Sequence, residues 1–247
     1  MHRLLSGHWD YTLLIQDGQP MDTAYRSSED IGPYIRFADG GECLFFNGTE
    51  EVSCMLEFSN YERREDCEIY YAVLKFADQS QTLLVFQPGE NNLLQLYLSE
   101  NSCICFSRNN LLIDSLSRCW VTIEKVTAYT IRLNEDRTFH TDLNGGITGT
   151  WHLKPITTDY YGDRACGLSL CYSKDGETVV VTGSVDLGSA STGLEQYLNQ
   201  TKQLKFSVSI DNLSLDFSTA SEEDVVALQS MLEEGKTKPD CQIPDSG

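Results

Sequence analysis

The sequence predicts a mainly β protein of antiparallel sandwich or barrel domains, two in tandem, with a helix late in the second and another closing the chain. Three observations predict it. Short segments of alternating apolar and polar residues recur about every ten residues with turn residues between them, the mark of a sandwich or barrel. The stretch Tyr129–Leu153 reads as three such strands joined by turns at Asn134-Glu135-Asp136 and Asn144-Gly145-Gly146, with Ile131, Leu133, Phe139 and Trp151 able to share one face. That stretch also has a counterpart: residues 33–48 show the same order of strand, acidic turn, strand and Asn-Gly turn, and residues 96–106 mirror residues 206–217. The repeat favours a first β domain over residues 1–110 and a second over 119–235. A single continuous barrel is the alternative.

The elements follow in order. His8–Ile15 alternates as a strand and stops at the turn cluster Gln16–Pro20. Residues 21–33 are polar and read as loop, with a short helical turn at Ser27–Ile31. Tyr34–Phe37, Glu42–Phe46 and Val52–Phe58 are strands separated by glycine-containing turns, Asp39-Gly40-Gly41 and Asn47-Gly48. Cys67–Phe76, Thr82–Phe86, Leu93–Leu98 and Ser102–Phe106 continue the pattern, and Leu111–Arg118 interrupts it as a linker or short helix. Cys119–Glu124, the meander, Gly167–Tyr172 and Glu177–Thr182 resume it. Ser189–Thr201 places Leu194, Tyr197 and Leu198 at helical spacing, with Ser189 or Ser191 as N-cap and Gly183–Ser191 read as a small polar loop before it. Lys205–Ile210 and Leu213–Phe217 form a hairpin. Ser221–Gly235 is a helix with a serine cap, acids in its first turn and a closing glycine, and 236–247 is a loose tail.

Eighteen Lys and Arg against 37 Asp and Glu give a net charge of −19. Such a field repels phosphate backbones and anionic lipid, so neither nucleic acid nor a membrane surface is an expected partner; solubility is the simplest account of the charge, and a basic protein or a cationic ligand is the alternative it would suit. No apolar run reaches the length of a membrane span, and no leader is visible at the start. The nine cysteines are odd in number and lack the paired knuckles of a zinc site, so no metal is expected. Free thiols in a reducing cytoplasm are the simplest account. A secreted or periplasmic protein with a removed leader is the alternative, for which Asn47-Gly-Thr, Asn199-Gln-Thr and Asn212-Leu-Ser would be glycosylation sequons.

Gly7-His8-Trp9 at the first strand resembles the G-x-W that opens lipocalin-type (calycin) barrels, and Gly149-Thr150-Trp151 repeats it. Phe139–Leu153 is similar to a segment of bacterial lipocalin-like domains, and Thr192–Leu198 through Phe217 is similar to the closing helix and strands of META-type domains. These resemblances cover about half the chain and imply small antiparallel up-and-down barrels in which a tryptophan plugs one end. On this reading Trp9, Tyr71, Phe86, Tyr97 and Trp151 line a pocket for a small apolar ligand, unless they simply fill the core.

No nucleophile elbow, phosphate loop or metalloprotease motif occurs, and neither a catalytic residue nor a cofactor is expected. The acidic run Glu62–Glu68 reads as a solvated loop. The loop Tyr160-Tyr161-Gly162-Asp163-Arg164 is a simple turn or one of the kind that reads a partner surface, with Tyr160, Tyr161 and Asp163 as contacts. The expected function is therefore non-enzymatic binding of a small apolar ligand or a basic protein partner. The rival is a hydrolase-type enzyme or metal-binding protein using His140, His152 and Asp142, which fall close together in the meander.

Overall fold

The structure, a computed structural model, describes residues 2–21, 31–38, 40–65, 67–88, 92–108, 110–124, 127–200, 204–210 and 213–218. The chain divides into two compact units, Met1–Asn109 and Asn110–Gly247. The first holds α1 (His2–Leu5), β1 (Gly7–Gln16), β2 (Gln19–Met21), β3 (Tyr34–Phe37), β4 (Glu42–Phe46), β5 (Glu51–Arg63), β6 (Glu68–Phe76), β7 (Gln81–Gln87), β8 (Leu93–Ser99) and β9 (Ser102–Ser107). Neighbours in its antiparallel sheet run β2-β1-β3-β4-β5-β6-β7-β8-β9, and β1 also pairs with β9, bringing the sheet round on itself into a nearly closed barrel. The second holds α2 (Asn110–Leu116), β10 (Cys119–Glu124), β11 (Thr127–Leu133), β12 (Thr138–Thr141), a 3₁₀ turn (Leu143–Gly145), β13 (Ile147–Thr158), β14 (Asp163–Lys174), β15 (Glu177–Ser189), α3 (Leu194–Gln200), β16 (Lys205–Ile210) and β17 (Leu213–Ser218). Its eight strands close into an up-and-down barrel in sequence order. The predicted class, mainly β with antiparallel barrels, is what forms.

The mirrored segments occupy equivalent places. Residues 33–48 supply β3 and β4, and 129–145 supply β11 and β12, the strands that follow the opening strand of each sheet; β8–β9 and β16–β17 are the two final hairpins. The units differ in two connections. β2 is inserted between β1 and β3, and α3 between β15 and β16.

A device shared by both units went unread in the sequence. Each opening strand follows a short helix and carries a tryptophan inside the pattern Leu-Ser-x-x-Trp, Leu5–Trp9 and Leu116–Trp120. Trp9 Nε1 donates to the Leu5 carbonyl at 2.8 Å and Trp120 Nε1 to the Leu116 carbonyl at 2.9 Å. Both rings are buried, Trp9 edge-on to Phe86 and Trp120 edge-on to Phe206. The counterpart of Trp9 is therefore Trp120, not Trp151. Trp151 sits on β13, donates to the Asn134 carbonyl and lies under the Arg137 guanidinium at 4.3 Å, which pins the β11–β12 turn.

Each core is made by alternation, since every second side chain of a strand faces inward. Ile35, Phe37, Leu74, Leu84, Phe86 and Phe106 fill the first; Ile131, Phe139, Leu170, Val185, Phe206 and Phe217 the second, with Leu112, Leu116, Leu194 and Tyr197 of the two helices packed on it.

Several expectations need correction. β2 forms where loop was expected, because Asp17 and Gly18 both take positive φ and turn the chain back onto β1. Residues 183–189 are the second half of β15 rather than a loop, so the helix starts at Leu194, with the Gly193 carbonyl accepting from Tyr197 N–H, and neither Ser189 nor Ser191 caps it. β13 and β14 outrun their predicted lengths because a bulge between Leu153 and Ile156 absorbs Pro155, which has no N–H for the ladder. Cys119 is disulfide-bonded, against the expectation of free thiols throughout, while Cys43, Cys54, Cys67, Cys103, Cys105, Cys166 and Cys171 are free. No described helix is long and apolar enough to cross a membrane. The predicted helix over 221–234 and tail over 236–247 lie outside the described residues, as does most of the helical turn at Ser27–Ile31.

The acidic run between β5 and β6 is an organised hairpin end. Glu68 accepts the hydroxyls of Tyr61 and Tyr70 at 3.0 Å, and Glu62 accepts that of Tyr71 and the Arg64 guanidinium. Arg64, then Tyr71, lowers the Glu62 carboxyl below its ordinary value; Glu62 holds the Tyr71 phenol above its own, Glu68 that of Tyr70, and desolvation with Glu68 that of Tyr61. The raised phenols contribute stability that is full below pH 10, the ordinary tyrosine value, and is lost as pH rises through their folded values. The lowered Glu62 contributes stability that is lost as pH falls below 4.5. Tyrosinate absorbance is expected to show these phenols titrating above pH 10 in the folded chain, and Tyr71→Phe to remove one late-titrating group; a single unshifted wave would contradict the contacts.

Candidate functional site

Beyond the bulge at Pro155, β13 and β14 continue as an exposed ribbon that ends in the turn Asp159–Gly162. Asp159 builds the turn: its Oδ1 accepts the Tyr161 N–H at 2.8 Å and the Asp163 N–H at 2.9 Å, and Gly162 takes the positive φ of 86° that the reversal requires. With Asp159 turned inward to the backbone, Tyr160 and Tyr161 project outward at 96% and 85% exposure, ring edge to ring face at 5.5 Å. The third strand, β15, is tied to this tip by Ala190 N–H donating to the Gly162 carbonyl at 2.7 Å.

Between the ribbon and β15 lies a groove of about 460 Å³, lined by Thr157, Thr158, Asp159, Asp163, Arg164, Ala165, Ser184, Asp186 and Gly188. Three aspartates, Asp159 of the turn, Asp163 of β14 and Asp186 of β15, are among its lining residues. Asp186 is held by the Gly188 N–H at 2.9 Å. Arg164, the cation of the lining, directs its guanidinium at the carbonyls of Leu187 and Thr192. The groove therefore offers carboxylate oxygens to a cation, and the tyrosine pair offers two amphipathic rings beside it. Sequence reading singled out Tyr160, Tyr161 and Asp163. It missed Asp186 and Ser184, because they sit in the segment taken for loop.

The five residues expected to line a ligand pocket divide between the two units, Trp151 in the second and the other four in the first. Trp9 and Phe86 are core side chains of the first unit and Trp151 of the second. Tyr71 and Tyr97 alternate with inward residues on β6 and β8, so they point outward from the barrel wall, each half-buried.

The strand register does not bring His152 to His140. His140 pairs with Thr148, and His152 lies four residues further along β13, roughly 13 Å away at strand rise. Asp142 accepts the Thr130 N–H at 2.8 Å, and His152 Nε2 contacts Thr150 Oγ1. A closer pair that sequence reading passed over is His8 and Asp10, 3.5 Å apart on one face of β1, with the imidazole stacked on Tyr34. The His-x-Asp spacing on a strand was its signal.

A scan of protein-family models finds no match, and searches of curated proteins and of solved structures find no significant similarity to the chain.

Proposed function

We propose that the protein is a non-enzymatic binding protein that engages a basic segment of a protein partner at the β13–β14 tip, in keeping with the binding roles of the lipocalin-like barrels its sequence resembles. The observation that carries this reading is the coincidence of an exposed tyrosine pair with a groove whose lining holds three carboxylates, built by strands that extend beyond the barrel core. Exposed tyrosines are favoured contact anchors, supplying large amphipathic area at low entropic cost. The −19 charge of the chain would steer a cationic segment toward it and raise the association rate at low salt. The reading uses no cofactor and no catalytic group. It places recognition on the outside, because the aromatic side chains inside the barrels are committed to packing.

A lysine- and arginine-rich peptide serves as the probe. Asp163→Asn with Asp186→Asn is expected to weaken its binding about tenfold at low salt, and Tyr160→Ala with Tyr161→Ala by a similar factor, about 1.4 kcal/mol each. Affinity should fall as salt is raised. Glu57→Gln with Asp78→Asn, exposed acids of the first unit, removes the same charge elsewhere and should change binding little. Equal losses in the groove and control variants, measured by calorimetric titration, would reduce the effect to bulk charge and sink the proposal.

A further inference from the structure

Cys43 and Cys54 face each other directly across β4 and β5, inside the core of the first unit. Their sulfurs are 2.8 Å apart, inside ordinary contact for two sulfurs and about 0.75 Å beyond the length of a disulfide bond. Each thiol also reaches the other residue's carbonyl, Cys43 Sγ to Cys54 O at 3.3 Å and Cys54 Sγ to Cys43 O at 3.6 Å. The side chains are thus already turned toward each other. Phe37 flanks Cys43 across β3 and Phe76 flanks Cys54 across β6, so no third cysteine is placed next to either on the adjoining strands.

We infer that Cys43 and Cys54 are a cross-strand oxidation site that closes to a disulfide and fastens β4 to β5 in the first barrel. The oxidant is a small disulfide of the glutathione class. The Cys54 thiolate attacks one sulfur of that disulfide and expels a thiolate. The Cys43 sulfur, on losing its proton, attacks Cys54 Sγ in the mixed disulfide and expels the second thiolate. The two protein thiols give up two electrons and two protons, and the external disulfide becomes two thiols. The shared hydrogen bond fits this order, since it lowers the Cys54 thiol while that bond and burial hold the Cys43 thiol up. Access does not require opening the finished barrel. The two residues are eleven apart in one hairpin, whose turn Asn47–Glu50 is set by Asn47 Oδ1 accepting the Thr49 and Glu50 N–H groups. Such local contacts form before the distant pairings that close a sheet.

The contrast within the same unit is Cys103 and Cys105. They lie two residues apart on one strand with sulfurs 3.9 Å apart, and a bond between them would need the strand to buckle. The test refolds the full chain from denaturant in glutathione buffers from reducing to oxidising, so that both sulfurs are reachable before the barrel closes; the product is quenched with acid, alkylated in denaturant without reductant, and mapped by peptide mass spectrometry. Under oxidising buffer, Cys43 and Cys54 are expected in one cross-linked peptide that resists alkylation, while Cys103 and Cys105 alkylate; under reducing buffer all four alkylate. Oxidation should also raise the thermal midpoint by roughly 5–15 °C, an increment lost in Cys54→Ala and kept in Cys103→Ala. Full alkylation of Cys43 and Cys54 in the oxidising buffer, or a bond from either to a different cysteine, overturns the inference. The mapping on the unaltered chain stands even where a variant fails to fold.

Discussion

Trp9→Ala and Trp120→Ala are each expected to lower the unfolding free energy by about 3–5 kcal/mol, the cost of removing a buried large aromatic and leaving the space behind. The two rings have the same setting in different units. Each is almost wholly buried, meets a phenylalanine edge-on, and donates its indole N–H to the carbonyl four residues earlier. That hydrogen bond joins the helix preceding each sheet to its first strand, so the ring acts on packing and on chain direction together. Trp→Phe separates the two effects: it retains most of the apolar burial but removes the indole donor, which is expected to cost about 1–3 kcal/mol at Trp9 and less, about 1 kcal/mol, at Trp120, where the Leu116 carbonyl keeps the Arg118 N–H at 2.8 Å. Urea unfolding followed by circular dichroism reads both. A loss below about 1 kcal/mol for either alanine variant would show that the shared Leu-Ser-x-x-Trp pattern does not carry the equivalent role given to it.

That pattern shows how legibility was distributed. Strand alternation was readable wherever one face is packed and the other wet, as in β3, β4, β8 and β17, because the period of two is then written in the side chains. Alternation fails where both neighbours on a strand are polar. Lys154-Pro155-Ile156-Thr157-Thr158 lies on a ribbon without a core beneath it, whereas Gly183–Ser189 does alternate, with Ser184 and Asp186 outward and Val185 and Leu187 buried, and was hidden only by the small residues around that alternation, which read as loop. The functional candidate sits in that unreadable part. Its tip was visible from the turn residues Asp159, Gly162 and Asp163, since turn chemistry is local. Its far wall, Ser184 and Asp186, comes from a strand about twenty residues on and is defined by register alone, Ala165 opposite Asp186. His140 and His152 mislead for the converse reason. Adjacent strands suggest neighbours, but register decides, and it sets them four positions apart. Tryptophans mislead likewise: G-x-W matched Trp9 to Trp151 by letters, whereas the hydrogen bonds match it to Trp120.

Gly183→Ala is expected to destabilise the second unit by roughly 3 kcal/mol or more, although it adds a single methyl group. A Cβ built at Gly183 stands 2.0 Å from the Ser207 carbonyl oxygen on β16, and at Gly149 it stands 2.0 Å from the Cys171 carbonyl oxygen on β14. Neither obstacle is a side-chain end that can rotate away; both are backbone atoms of a paired strand. Relief requires β15 to move from β16, or β13 from β14, and lengthens ladder hydrogen bonds on each side. Gly183 lies beside the register that continues down β15 to Asp186, with Ser184 facing Ser207 and Val185 facing Phe206. A displacement there therefore reaches both the barrel core through Val185 and the groove through Ser184 and Asp186. Gly176→Ala is the comparison, for a Cβ there meets nothing within 4 Å, so only its positive φ of 82° is strained and a smaller loss of about 1 kcal/mol is expected. If the basic peptide also binds more weakly to Gly183→Ala under conditions where the variant stays folded, while Gly176→Ala binds it normally, the groove depends on strand register. Should Gly183→Ala unfold at the same urea concentration as Gly176→Ala, the close approach of β15 and β16 is not a constraint on the fold.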